Sequence, residues 1–129
     1  MSSPVTHYQF AVTQQGPVTV VTFQAPRLVK EGTVEAIGEH LFAMVEEHGC
    51  RQLVLDFSHV ERIYSVMLAK VAGLHRKMQA LGGRLAVCRM RPEVYDVFET
   101  LNLHQVLHIY NTTDEAVRSF ADADDTPRP

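Results

Sequence analysis

Ser65 stands at the head of SVMLAKVAGLHRKMQAL, between a polar connection and a segment of periodic apolar residues. A hydroxyl there can do two things. As an N-cap it accepts from the free N–H groups of a helix's first turn. As a phosphate acceptor it places negative charge where unpaired amides and the positive end of the helix dipole stabilise it. Asp56, nine residues earlier, ends the apolar run Leu53-Val54-Leu55. Its carboxylate suits a general base, but no nucleophile and base accompany it in a recognisable order, so capping the following turn is the preferred role. The seven histidines (His7, His40, His48, His59, His75, His104, His108) include no HxH or HxxxH pair within one clear element, and His104 and His108 straddle a weak loop-to-strand stretch. No metal site is read from them. Cys50 and Cys88 form no CxxC pair; Cys88 continues the run Leu85-Ala86-Val87 and reads as a buried, reduced thiol. No cofactor is expected.

The elements that hold Asp56 and Ser65 are a strand, a turn and a helix. Leu53 to Leu55 is continuously apolar, as in a strand covered on both faces. Asp56 would then lie at the carboxyl edge, where open α/β sheets carry their functional groups. Phe57 to Tyr64 is the connection. Leu68, Val71, Leu74, Met78 and Leu81 recur every three or four residues and share one helical face. Lys70, Arg76 and Lys77 lie opposite, either for an acidic partner or as a solvated face.

The flanking chain alternates. Tyr8–Thr13 and Val18–Phe23, separated by Gln15-Gly16-Pro17, predict an antiparallel hairpin. Ala25-Pro26-Arg27 breaks the second strand. Val34, Ile37, Leu41, Met44 and Val45 mark a helix over about Val34–Glu47, with Gly49 just past its end. Gly82-Gly83 stops the central helix ahead of a strand at Arg84–Cys88. Pro92 suits the first turn of a helix over Pro92–Thr100, with Val94, Val97, Phe98 and Leu101 inward and Tyr95 also in the core. A short strand near Val106–Ile109 follows. Thr112 with Glu115 three residues on is a capping box for a last helix through Phe120. The order β-β-α-β-α-β-α-β-α predicts an α/β fold: a small mixed sheet, with an N-terminal antiparallel hairpin and then parallel strands, and about four helices. Residues 1–7 are expected to be flexible, 8–121 to form one domain, and the polar residues 122–129 to be a disordered tail.

Composition narrows the function. The chain has 129 residues, 46% hydrophobic, and a net charge of −3. That permits one real core and argues against a nucleic-acid partner, which needs a concentrated basic face. No apolar run approaches a membrane span, and MSSPVTHYQF does not read as a signal peptide, so a cytoplasmic protein without membrane contact is expected.

Several phrases, in this order, resemble the STAS domain, the fold of the anti-sigma-factor antagonists. Leu53-Val54-Leu55-Asp56-Phe57-Ser58-His59-Val60 is similar to that family's strand and turn, usually VLDLSGV. Leu74-His75-Arg76-Lys77 and Gly82-Gly83-Arg84-Leu85-Ala86-Val87 resemble its helix end and next strand. Arg91-Pro92-Glu93-Val94, Phe98-Glu99-Thr100-Leu101-Asn102-Leu103 and Asp114-Glu115-Ala116-Val117 resemble the later helices. The resemblance spans roughly residues 8–120. It implies a regulatory domain without catalysis of its own. In the family the turn reads Asp-Ser-Ser-Gly-Leu, and the second serine is phosphorylated by a partner that is both anti-sigma factor and serine kinase. Here those positions are Tyr64, Ser65, Val66, Met67 and Leu68.

The usual acceptor is thus Val66, which has no hydroxyl. Three readings stay open: Ser65 takes over as acceptor; the switch is lost and Val66 and Met67 make constitutive apolar contacts; or the domain is an adaptor outside any sigma pathway. The expectation is a protein-binding regulator whose contact residues are Asp56, Ser58, Tyr64, Ser65, Val66, Met67 and Lys70. Its partner would be an anti-sigma factor/serine kinase or a related signalling protein, with a second copy of the chain as a further candidate. The alternatives are a scaffold subunit of a larger signalling assembly and a small enzyme using Asp56 and nearby histidines.

Overall fold

The computed structural model describes residues 5–6, 10–24, 27–28 and 31–125, with side chains for 10–24 and 34–121. The predicted hairpin is present: β2 (Phe10–Gln15) pairs antiparallel with β3 (Val18–Phe23) around Gly16-Pro17. Tyr8 and Gln9 lie outside the described residues. A short β1 (Val5–Thr6) adds antiparallel to β2. After β4 (Arg27–Leu28), α1 (Glu31–Glu46) leads to β5 (Gln52–Asp56), β6 (Arg62–Ile63) and α2 (Ser65–Ala80). Then come β7 (Arg84–Cys88), α3 (Pro92–Thr100), a single 3-10 turn (Leu103–Gln105), β8 (His108–Tyr110) and α4 (Thr113–Asp125).

The main sheet has the order β1-β2-β3-β5-β7-β8, and β3, β5, β7 and β8 run parallel. Strand alternation divides the core. Leu53, Leu55, Leu85 and Val87 point to one face, where Ile37 and Leu41 of α1, Val71, Leu74 and Met78 of α2, and Val94 and Phe98 of α3 cover them. Val54, Ala86 and Cys88 point to the other, under Ala116 and Phe120 of α4. β5 is therefore apolar at successive positions because both of its faces are covered.

α4 begins with the predicted cap: Glu115 N–H donates to Thr112 Oγ1 at 3.1 Å, and Asn111 N–H donates to Glu115 Oε1 at 3.2 Å. The helix extends to Asp125, so the tail expected from residue 122 begins helical. Leu101, expected inside, is half exposed at the end of α3. The close turn between α2 and β7 depends on two glycines. Gly82 has φ +82°, and a Cβ on Gly83 would sit 2.8 Å from the Arg51 carbonyl oxygen.

Candidate functional site

Because β5, β7 and β8 are parallel, the connections that leave them gather at one edge of the sheet. Asp56 lies at that edge. Its position in β5 turns its side chain to the α4 face, the face of Val54. Oδ1 accepts from Ser58 N–H at 2.8 Å, and Oδ2 accepts from Thr113 Oγ1 at 3.3 Å. The Arg89 guanidinium lies 3.9 Å from Oδ2. Asp56 thus closes the turn and ties it to the start of α4. At 5% exposure it braces the turn and presents little surface to a partner.

The turn rests on aromatic packing. Phe57 meets Phe23 at 5.0 Å between ring centroids and Phe98 edge-on at 5.7 Å. Val60 N–H donates to Phe57 O, and Val60 is buried, while Ser58 is half-buried and His59 is exposed. β6 then pairs with β4, Ile63 opposite Leu28, and this fixes the approach to α2.

The helix starts one residue earlier than Ser65's assignment as N-cap requires. Tyr64 is the N-cap, with an extended backbone (φ −111°, ψ 167°), and its carbonyl accepts from Met67 and Leu68. A phenol cannot fold back onto the first turn, and no side chain caps this helix. Ser65 is the first helical residue and is exposed. Tyr64, 56% exposed, and Val66, 45% exposed, flank it. Met67, expected as a contact, has no exposed surface and packs in the main core. Positions 66 and 67 are about 100° apart on a helix, and the buried stripe of α2 includes the second.

Lys70 has a partner within the chain. Its ammonium lies 3.1 Å from Glu35 of α1, and its stem crosses above Gly38. Lys77 likewise reaches Glu46 at 2.9 Å. These cations join α2 to α1 within the chain.

Sequence reasoning missed Arg91 and Glu93. With Glu61, Arg62, Tyr64 and Val97 they line a cleft of about 530 Å³ between β6 and the start of α3. The available signal was topological: the connection after β7 must lie beside the connection after β5 when the two strands are parallel. Beneath this edge, burial pushes the Cys88 thiol up to about 11, so it stays protonated and is a poor nucleophile near neutral pH. Among the described residues no group of three His, Cys, Asp or Glu side chains is placed to hold a metal ion. No described helix is long and apolar enough to cross a membrane.

Comparison with known proteins bears on the family and the fold. The sequence model of the STAS domain matches residues 9–116. A Bordetella bronchiseptica protein bearing the name anti-sigma factor antagonist BtrV is 27% identical over 96 residues, 74% of this chain and 82% of its own length. The structure of an anti-sigma-factor antagonist (STAS) domain protein from Planctomyces limnophilus superposes with a TM-score of 0.75 at 25% identity, covering 85% of this chain and 95% of that one. The Bacillus cell fate determinant SpoIIAA in its phosphorylated form gives a TM-score of 0.68 at 19% identity, covering 86% and 98%, a likeness of fold.

Proposed function

Because this chain belongs to the STAS domain family and is similar to an anti-sigma factor antagonist, we propose that it acts by docking a signalling protein at the head of α2. The partner class is an anti-sigma factor that is also a serine kinase, or a related regulator, met in the cytoplasm. The observation that carries the reading is the run Tyr64-Ser65-Val66. Three consecutive exposed residues, two of them large and apolar in body, lie at a helix start without a side-chain cap. A hydrophobic centre with a polar rim is the usual anatomy of a specific interface, and the cleft lined by Arg62, Arg91, Glu61 and Glu93 supplies charges of both signs beside it. The contact set is Ser58, Tyr64, Ser65 and Val66.

Regulation at this site differs from the family's pattern because Val66 has no hydroxyl. Ser65 is the acceptor this surface offers: it is exposed, and its first-turn position would hold phosphate near the positive end of the α2 dipole. The test uses the cognate kinase with ATP. One phosphate should appear by intact mass on the native chain and be lost in Ser65→Ala. If no mass is added while binding persists, the docking is constitutive. Val66→Asp should abolish capture of the partner while leaving the circular dichroism spectrum unchanged; undiminished capture would remove this surface from the interface.

A further inference from the structure

At the same sheet edge, but between the ends of β7 and β8 and the α3–3-10 segment, lies a separate cavity of about 660 Å³. Its size is that of a small-molecule site. Met90, Leu107 and Ile109 give it an apolar floor, and Arg89 and Asn111, the first residues after β7 and β8, stand at the polar rim. Tyr95 and His104 form one wall, their rings edge to face at 6.2 Å.

Arg89 is held at the rim at a cost and is not firmly paired within the chain. Arg89 is a non-glycine residue with φ +60°, a left-handed conformation that disfavours a Cβ. Its guanidinium is half exposed and touches Asp56 at 3.9 Å, too long for a strong ion pair. His104 contributes the edge of its ring to the wall beside Tyr95. A rim cation without a strong partner in the chain and an aromatic wall above an apolar floor meet at one cavity.

We propose that this cavity binds a small aromatic carboxylate. Its ring would lie on the Met90–Leu107–Ile109 floor against Tyr95 and His104, and its carboxylate would meet the Arg89 guanidinium. The site is independent of the docking surface and stands whether or not that surface is used.

The experiment is a titration of the isotope-labelled full chain followed by amide NMR, with phenylacetate, 2-phenylethanol and acetate as probes at millimolar concentration. Phenylacetate should shift the amides of residues 89–91 and 104–111, and the neutral alcohol and acetate should shift them much less. Arg89→Gly removes the cation and relieves the left-handed strain, so it should melt higher than the native chain while weakening phenylacetate by roughly tenfold, the loss expected for one charge-assisted hydrogen bond. His104→Ala, which removes the aromatic wall, should also weaken it. The proposal is overturned if phenylacetate leaves these amides unmoved, if either control probe shifts them equally, or if a folded Arg89→Gly chain binds undiminished.

Discussion

Asp56 shows how one side chain can make a surface without being part of it. It accepts a backbone N–H from Ser58 and a hydroxyl from Thr113 while almost wholly buried. Removing it leaves both donors without this acceptor, so Asp56→Ala should destabilise the fold by about 1–3 kcal/mol, read from the urea midpoint. If instead stability held and partner capture vanished, Asp56 would be a contact after all. Lys70 gives the complementary case. Its partner is Glu35, on a partly exposed interhelical pair, so Lys70→Ala should cost no more than about 1 kcal/mol and leave capture intact. Both roles were hard to see in sequence. A carboxylate at a strand end is equally consistent with a brace and a contact, and Lys70 meets its acid only when α1 and α2 pack together.

At the scale of elements, the site is a turn clamped from below and from both ends. Phe57 is the lower clamp, fully buried between Phe23 and Phe98. Phe57→Ala should therefore cost about 3–5 kcal/mol and loosen the turn, visible as a large fall in melting temperature. A change within about 1 kcal/mol would mean that the turn stands without it. What sequence revealed here follows local physics. α3 runs from Pro92 to Thr100 as predicted, because proline at a helix start and a strong apolar face act within a few residues. β5 and β7 announced themselves by composition, and α4 by its capping residues. The β4–β6 pair escaped notice because two-residue strands arise from pairing across the fold and leave no periodic trace. Ser65 was misplaced by one position because serine suits both the cap and the first turn. Only tertiary packing decides that Met67 goes in and Val66 stays out.

For the whole molecule, parallel strands gather the functional connections on one edge, and helices on both sheet faces leave little freedom beneath them. The same burial makes stability sensitive to acid. His75 is 3% exposed with Nδ1 unpartnered, and burial, with Arg76 nearby, holds its pKa below 6.5. His108, although at the surface, is lowered too, by partial desolvation first and then by Arg84 and His75. The unfolded chain takes up these protons more readily than the folded one. Stability should be level above pH 6.5 and fall as pH drops below it. Urea midpoints at about pH 7.5 and about pH 5.5 should show the fall, and His75→Met should reduce it; an equal slope in the variant would acquit this histidine.

The docking surface itself is most directly tested by placing a photo-crosslinking phenylalanine analogue at single positions and irradiating the chain in its native host. Position 66 should join an anti-sigma factor or kinase of that class, while the exposed hairpin residue Gln15 and Gln79 near the far end of α2 should not. Adducts from Gln15 or Gln79 with none from position 66 would contradict the account.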